Sequence, residues 1–398
     1  MSTIVTLKKG EGRTVKRGGL WIYDNEISTI KGRFHNGDIV SVVDDRGHFI
    51  GQGYINQNSK IRIRLLSRHE DDVLDDVFFA RLLQRAWDYR KKIVDTGSCR
   101  VVFGEADGLP GLVIDKFEDV LVIQSLTLGM DRLKEQVVRL MKDILEKDGI
   151  VVKGIYERSD AKERTKEGLE RVKGFLSEPF DTKFIIEENG VRYEIDVENG
   201  QKTGYFLDQK YNRLAIQSLC QDADVLDCFT YIGSFALNAA KGGAHKVLGV
   251  DASDLAVELA TRNAVLNGVE DHVSFEAHDL FDFLPELEDK GCSFDVVILD
   301  PPAFTKSRSS IKNAMKGYRE INMRGMRLIK DGGYLATCTC SHFMDDEHFR
   351  QAIEQAARLA HKRLRQIEFR QQSPDHPIVW GMGESSYLKF YIFQVFDY

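Results

Sequence analysis

The stretch FDVVILDPPAF, residues Phe294 to Phe304, is the part of the sequence that decides the fold. An apolar run of strand length ends at Asp300 and is followed at once by Pro301 and Pro302. Because proline has no N–H to donate and its ring fixes φ, the two prolines end the strand in a rigid extended turn. The sequence therefore predicts a buried strand with a carboxylate held at its carboxyl end.

Further strands and helices alternate around this stretch, from about residue 188 to residue 398. The other predicted strands are ADVLDCF, KVLGVDAS, VSFEAHD and GGYLATCTC, and helical segments such as DLAVELATRNAVLNG separate them. Strands that alternate with helices form a parallel sheet with helices on both faces. The predicted fold class is therefore α/β, with a Rossmann-like sheet in residues 188–398.

Two smaller domains are predicted before this sheet. Residues 1–71 contain short strands separated by Gly and Asp turns, which is typical of a small β-barrel. Residues 72–187 combine strands with two amphipathic helices and are predicted to be a central α+β domain. The alternation in KIRIRLL places Arg62 and Arg64 together on one strand face, either a basic binding surface or an ordinary solvated one.

The composition excludes several classes of protein. With 42% apolar and 29% charged residues, the 398-residue chain is typical of a globular protein of two or three domains. No stretch approaches the roughly 18 apolar residues of a membrane span, and the amino terminus lacks a signal-peptide core, so we expect a cytoplasmic protein with no membrane partner. No pair of C-x-x-C motifs is present, so we expect neither a metal site nor disulfides. The six scattered cysteines are Cys99, Cys220, Cys228, Cys292, Cys338 and Cys340.

Charge is distributed unevenly along the chain. Residues 1–70 carry 12 Lys and Arg against 7 Asp and Glu, whereas the remainder carries 43 against 55. A basic module attached to an acidic one suits contact with a phosphate backbone. The candidate nucleic-acid contacts are Lys16, Arg17, Arg62 and Arg64.

Acidic side chains and a glycine turn follow the first three strands of the predicted sheet. Ligands of open parallel sheets bind beyond the carboxyl ends of the strands. Gly233 permits close approach of a ligand to the backbone, Asp251 is placed to bind ribose hydroxyls, and Asp279 to accept from an adenine amino group. Each aspartate has an alternative role as a helix cap. Their shared placement favours an adenosine-type ligand.

These motifs resemble those of a known family. VLDCFTYIGSFA, VLGVDAS, HDLFDFL, DVVILDPPAF and TCTCS look like the successive motifs of a class I S-adenosylmethionine-dependent methyltransferase. GEADGLPGLVIDKF, ERSDAKERTKEGL and GQKTGYFLDQKYNR extend the resemblance over the whole chain to the ribosomal RNA large subunit methyltransferase I family. The resemblance implies an RNA-binding PUA barrel, a central domain and a Rossmann-like methyltransferase domain, and a type member that forms 5-methylcytosine in 23S rRNA.

The resemblance also implies roles for individual residues. Cys340 matches the family's nucleophilic cysteine, Asp300 is placed to stabilise the base as charge develops, and Cys338 is expected to be buried. S-adenosylmethionine is the implied cofactor and large-subunit 23S rRNA the implied partner; a homodimer is also possible. For Phe229 and Tyr231 a core role is the alternative, and for the 202–209 segment a structural turn. The predicted cofactor contacts are Lys202, Thr203, Tyr205, Gln209, Phe229, Tyr231, Gly233, Asp251, Ala252, Asp279, Asp300 and Pro301.

One position departs from the pattern of RNA cytosine-5 methyltransferases. Many of them carry a second cysteine after the Asp-Pro motif, whereas Ala303 follows Pro302 here. DPPAF also resembles the signature of enzymes that methylate exocyclic amines and need no cysteine. Amine methylation is therefore the alternative chemistry, and a non-catalytic RNA-binding assembly factor is the alternative from another class.

Overall fold

The computed structural model describes residues 3–305 and 307–398, which fold into two compact units. The first unit contains the chain up to residue 184 together with residues 195–207 and 374–385. The second unit contains residues 185–194, 208–373 and 386–398. Both units are therefore assembled from segments that are distant in sequence.

The first unit begins with a six-stranded sheet of order β2-β6-β5-β4-β1-β3. The alternating strands bury Val5, Ile22, Val42 and Ile63 in one apolar cluster. Strands β1, β4, β5 and β6 are those expected from the apolar runs IVTL, GDIVSVVD, HFIGQGYIN and KIRIRLLS, whereas the short β2 and β3 were not predicted. The elements are β1 Ile4–Leu7, helix α1 Arg13–Lys16, β2 Trp21–Tyr23, β3 Ile27–Lys31, β4 Ile39–Val43, β5 Phe49–Ile55 and β6 Ile61–Ser67.

A second sheet of the first unit has five strands in the order β11-β10-β9-β8-β7. Helices α2 and α3 cover it and bury Phe79, Trp87 and Met141 in one core. Asp75 caps α2, since its side chain accepts from the backbone N–H groups of Val77 and Phe78. The elements are α2 Asp76–Ile93, β7 Ser98–Phe103, β8 Leu112–Phe117, β9 Val120–Ser125, α3 Leu128–Lys147, β10 Gly154–Ser159 and β11 Val172–Phe175.

A hairpin of strands β12 (Lys183–Glu188) and β13 (Val191–Asp196) follows. Its turn residues Asn189 and Gly190 both have positive φ, 56° and 74°. This conformation suits a two-residue hairpin turn, and Asn-Gly is the pair that adopts it most readily.

The second unit contains a seven-stranded sheet of order β16-β15-β14-β17-β18-β20-β19. Strands β14 to β18 are mutually parallel, and β20 runs antiparallel to both β18 and β19. The predicted Rossmann-like α/β fold is confirmed. The elements are α4 Lys210–Gln217, β14 Asp224–Cys228, α5 Ser234–Lys241, β15 Lys246–Asp251, α6 Asp254–Asn267, β16 Val273–Ala277, α7 Leu280–Asp289, β17 Phe294–Leu299, α8 Ile311–Arg327, β18 Ile329–Thr339, α9 Asp346–Ala360, β19 Lys362–Arg370 and β20 Lys389–Asp397.

Strand order reverses between β14 and β17, because β15 and β16 extend to one side and β18 to the other. Such a switch point opens a crevice at the carboxyl ends of the strands, where ligands of doubly wound sheets bind. The residues that follow β14, β15, β17 and β18 therefore define the candidate site.

The division into three domains at residues 71 and 187 stays a prediction, since the two compact units do not test those boundaries. Among the described residues, no helix is both long and apolar enough to cross a membrane.

Candidate functional site

The turn after β14 has an unusual backbone. Phe229 and Tyr231, both half-buried, have φ of 65° and 51°, and Gly233 has φ of 82°. Bulky residues rarely adopt positive φ, and such strained positions concentrate at functional sites. A Cβ on Gly233 would lie 2.8 Å from Phe275 Cζ, so only glycine fits this turn without displacing the ring.

Asp227 supports the turn from the end of β14. Its Oδ2 accepts from Thr230 Oγ1 at 2.6 Å and from the backbone N–H of Ala236 at 2.9 Å. Its Oδ1 is buried without a hydrogen-bond partner among the described residues. Burial, with smaller contributions from Asp300 and Asp251, raises the pKa of Asp227 to about 7. Asp227 is absent from the residues predicted from the sequence, although a lone carboxylate in the apolar run VLDCF is a signal that could have identified it.

Asp251 ties the tip of β15 to the same turn. Its Oδ2 accepts from the N–H of Tyr231 at 2.9 Å, and its Oδ1 from the N–H of Ser253 at 3.0 Å. The cap of α6 is Ser253, whose Oγ accepts from Ala256 N. The alternative role of Asp251 as that helix cap is thus excluded. Asp251 is half-exposed and Ala252 exposed, so the carboxylate is open to a ligand.

Asp279 has the alternative role that the sequence left open. It caps α7, because its Oδ1 accepts from the N–H of Phe281 at 2.8 Å. Its side chain is exposed. Contact between Asp279 and an adenine group stays a prediction.

Asp300 follows β17 and is joined to two neighbours. Its Oδ1 accepts from Cys338 Sγ at 2.9 Å and from Gln209 Nε2 at 3.2 Å. Although part of its surface reaches solvent, desolvation by the surrounding protein raises the pKa of Asp300 to about 6. Pro301 is buried and Pro302 exposed. Asp300 therefore carries a carboxyl group that changes protonation close to neutral pH.

The two cysteines of TCTCS differ sharply. Cys338 is fully buried, as predicted, and burial together with Asp300 raises the pKa of its thiol. Cys340 is exposed and follows the last residue of β18. Since Leu299 of β17 pairs with Thr337 of β18, the next residues, Asp300 and Cys338, are brought side by side. Sequence analysis assigned Cys338 no role beyond burial, whereas the structure makes it a hydrogen-bond donor to Asp300.

Lys389 is a buried cation near Cys340 that sequence analysis did not single out. It begins β20 opposite Thr339, and its Nζ donates to the carbonyls of Ser341 at 3.4 Å and Tyr387 at 3.3 Å. Burial lowers the pKa of Lys389, and the charges of Asp345, Asp346 and Cys340 oppose that shift. A lysine with this environment is a functional-site candidate.

Gln209 and Arg213 lie at the beginning of the longest segment of the second unit, residues 208–373. Gln209 is buried, and its Oε1 accepts from Asn212 Nδ2 at 2.6 Å, which leaves its Nε2 directed at Asp300 and Cys338. Arg213 forms a fully buried pair with Glu188 at 2.7 and 3.0 Å.

Lys202, Thr203 and Tyr205 lie in the first unit. Lys202 is exposed with a φ of 55°, and Tyr205 is buried. Thr203 is also buried and donates from Oγ1 to Asp115 Oδ2 at 2.6 Å. Their contact with a cofactor stays a prediction.

The four candidate RNA contacts among residues 1–70 differ in their exposure to solvent. Lys16 and Arg17 are exposed, and Arg62 is half-buried with its Nη1 3.4 Å from the Asn56 carbonyl oxygen. The expectation that Arg64 lies on an outer basic face is wrong. Arg64 is 7% exposed, and its guanidinium pairs with Glu167 at 2.9 Å, so its charge is neutralised.

The sheet order, the turn after β14 and the acids at the strand ends define a class of protein, the S-adenosylmethionine-dependent methyltransferases. The family model described as S-adenosylmethionine-dependent methyltransferase matches residues 161–392, and a PUA-like domain model matches residues 5–68. A protein titled SMU.776, described as a candidate methyltransferase complexed with SAH, shares the fold. Its TM-score is 0.83 at 21% identity, with 99% of this chain and 100% of that one covered. S-adenosylmethionine is the cofactor.

Two relatives narrow the class to a family. A protein named ribosomal RNA large subunit methyltransferase I from Alteromonas mediterranea is 37% identical, with 100% of both chains covered. A protein of the same name from Pseudoalteromonas translucida is 38% identical, again with 100% of both chains covered. The chain belongs to the ribosomal RNA large subunit methyltransferase I family.

Proposed function

We propose that the chain forms 5-methylcytosine in 23S rRNA and that Cys340 bonds covalently to C6 of the target base. The observation that carries this proposal is the exposed thiol of Cys340, directly after β18, while the neighbouring strand β17 ends at the Asp300 carboxyl. The names of the relatives support ribosomal RNA as the substrate, and the PUA-like match supports RNA binding.

The described residues fit S-adenosylmethionine. Asp251 is half-exposed and offers two carboxylate oxygens, each oriented by a backbone N–H group, which suits the two ribose hydroxyls. When bound, the cofactor supplies an electrophilic methyl group carried on a sulfonium. The residues of the second unit that would hold it are Gln209, Phe229, Tyr231, Gly233, Asp251, Ala252, Asp279, Asp300 and Pro301.

A covalent bond between Cys340 and the base would overcome the low reactivity of cytosine C5. Cytosine C5 is a weak nucleophile, and addition of the Cys340 thiolate to C6 moves the electron pair of the C5–C6 double bond towards C5. C5 then takes the methyl group. When C5 loses its proton to a base, the double bond forms again and the C6–S bond breaks, which returns the thiolate. The net change is replacement of one hydrogen by a methyl group.

Asp300 is proposed to act on N3 of the base, and Lys389 on the thiolate of Cys340. With its pKa raised to about 6, Asp300 can exchange a proton with N3 of the base as charge develops there. Lys389 places a buried positive charge near Cys340, and such a charge favours the thiolate form of a cysteine. Since Ala303 follows Pro302, no thiol is available there to take the C5 proton.

The proposal is tested by trapping the covalent bond. Ribosomal RNA that contains 5-fluorocytidine cannot lose a C5 proton, so the Cys340 adduct should accumulate as a complex that survives denaturing electrophoresis. We expect Cys340→Ala to abolish both the trapped complex and methyl transfer to unsubstituted rRNA, with cofactor binding retained in calorimetry. Cys292→Ala, which removes a half-buried thiol outside the site, is the matched control and should behave like the unchanged protein.

The opposite pattern identifies the alternative chemistry. Full methyl transfer by Cys340→Ala together with loss of activity in Asp300→Asn would refute the thiolate mechanism and indicate methylation of an exocyclic amine. The feature that favours this alternative is the DPPAF sequence, which places the Asp300 carboxyl, a hydrogen-bond acceptor, directly after β17. An absence of cofactor binding in the unchanged protein would instead indicate a non-catalytic RNA-binding factor.

A further inference from the structure

Trp380 is the most exposed large apolar side chain of the described residues. It is 92% exposed, whereas Trp87 is buried and Trp21 donates its indole N–H to Glu105 Oε1 at 2.8 Å. Exposed apolar residues are common when they are small or peripheral, but a whole indole left in water is a large apolar surface without a partner. Whether Trp380 can bind a partner depends on the residues around it.

The loop that carries Trp380 is firmly held. Met382 is 3% exposed and anchors the loop in the first unit. Ser385 Oγ accepts from the N–H of Val379 at 2.8 Å and donates to the carbonyl of Met382 at 2.7 Å. Met382 N–H in turn donates to the carbonyl of Val379 at 3.1 Å. The indole is therefore presented to solvent by an ordered turn.

The backbone of this turn lies against the end of α1. A Cβ on Gly381, whose φ is 95°, would lie 2.5 Å from the carbonyl oxygen of Arg17 and 3.7 Å from its Cβ. A Cβ on Gly18 would lie 3.5 Å from the carbonyl oxygen of Trp380. The close approach needs glycine at position 381, while Gly18 is favoured by its own φ of 107°, and the contact sets the Trp380 turn beside the exposed Arg17.

Arg17, exposed directly after α1, is the basic residue that this contact places beside Trp380. Arg13 and Lys16 are exposed on α1 itself, with Arg13 Nε 3.2 Å from the Gly10 carbonyl oxygen and Lys16 Nζ 3.5 Å from that of Glu11. Glu384, exposed on the Trp380 turn, is an acidic neighbour whose charge helps to raise the pKa of Tyr23. An exposed aromatic ring next to a helix that carries exposed cations matches the chemistry of a single-stranded nucleic acid, whose phosphates bind cations while its bases stack on rings.

We propose that Trp380, together with Lys16 and Arg17, forms a surface that stacks on an unpaired base of the RNA substrate. The proposal rests on the proposed function for its choice of RNA as the partner. It adds an aromatic contact from residues 374–385, more than 350 positions away from α1 in the sequence, to the basic surface of the PUA-like domain.

The proposal is tested by RNA binding with the full chain. The probes are protein-free 23S rRNA, a fluorescein-labelled single-stranded 12-mer RNA and the same 12-mer as a duplex. Stacking on an aromatic side chain contributes about 1–3 kcal/mol per base, so Trp380→Ala should weaken single-strand binding about 5- to 150-fold. Trp380→Phe should keep most of the affinity, and Tyr398→Ala, which removes another highly exposed ring, should bind normally.

The salt dependence of RNA affinity distinguishes the contribution of the Trp380 ring from that of Lys16 and Arg17. Each phosphate contact contributes a slope of about 0.7 in log affinity against log salt for single strands, so Lys16→Ala with Arg17→Ala should reduce the slope by about 1.4. Trp380→Ala should leave the slope unchanged. Quenching of indole fluorescence by the single strand should also be smaller in Trp380→Phe than in the unchanged protein.

Normal single-strand binding by Trp380→Ala would overturn the proposal, as would quenching by vesicles of anionic lipid without quenching by RNA. Equal weakening by Tyr398→Ala would also overturn it. These readouts measure binding alone, so they stand even if the methylated atom is not cytosine C5.

Discussion

Asp227 offers the sharpest test of the electrostatics of the site. Its carboxyl is fully buried, and its pKa rises from 3.8 to about 7. A raised pKa means that the folded state holds the proton more tightly than the unfolded state. The contribution of Asp227 to stability is therefore largest at low pH and is lost progressively as the pH rises from about 4 to about 7.

The size of the effect follows from that difference. Each unit of pH between the two pKa values changes the free energy of unfolding by about 1.4 kcal/mol, so the protein should lose about 2.5 kcal/mol between pH 5 and pH 8 through this group. Asp227→Asn removes the titration. Asparagine can still accept from Thr230 and Ala236, and a buried amide without a partner costs about 1–3 kcal/mol, but that cost does not change with pH.

The assay must report on the second unit. All three tryptophans lie in the first unit, so indole fluorescence would not detect the change. Hydrogen exchange with mass spectrometry on peptides from β14 and α5 compares the variant with the unchanged protein at the same pH. We expect the variant to gain about 2.5 kcal/mol relative to the unchanged protein between pH 5 and pH 8. A difference that stays constant over that range would refute the reasoning, and the exposed Asp222→Asn is the matched control.

Two further predictions concern buried charges of the second unit. Lys389→Met should lower the rate of methyl transfer at least about 10-fold at neutral pH and less at high pH, because the thiolate of Cys340 loses its nearby cation. Lys389→Arg keeps a positive charge and should retain more activity. An unchanged pH–rate profile in Lys389→Met would contradict this role of Lys389. Glu188→Ala should lower stability by about 3–5 kcal/mol, since it leaves Arg213 charged and buried, and Glu188→Leu with Arg213→Met should recover most of the loss. Exchange protection in α4 measures both variants, and an unaffected single variant would show that the pair is not important for stability.

The five parallel strands of the second unit, β14 to β18, were predictable because their signals are local, whereas the antiparallel strands β19 and β20 were not predicted. The apolar runs, the helices between them and the prolines after Asp300 each determine structure within about ten residues. The same locality placed Asp251 and Cys340 at strand ends. Lys389 was not predictable in this way, since its burial depends on Ser341 and Tyr387 and nothing in KFYIFQVF distinguishes it from a solvated lysine.

Arg64 also shows that a local sequence pattern does not reveal contacts with distant residues. The alternation of KIRIRLL correctly predicts a strand, and it places Arg62 and Arg64 on one face. The partner that covers that face, Glu167, is about a hundred residues further along the chain. Periodicity indicates that two side chains share a face but not what lies opposite them.

The discontinuity of the first unit has a consequence for biosynthesis. Asp375 accepts from the backbone N–H of the half-buried Arg100 at 2.7 Å, and its carbonyl accepts from Nη2 of the buried Arg90 at 2.9 Å. These two groups near α2 and β7 therefore gain these partners only when a residue made late in translation has been added. At about 5–20 residues per second, the ribosome needs roughly 10–40 s to extend the chain from residue 184 to residue 385. During that interval the nascent first unit holds Arg90 and Arg100 without these contacts, which makes it the stage at which chaperones have most to protect.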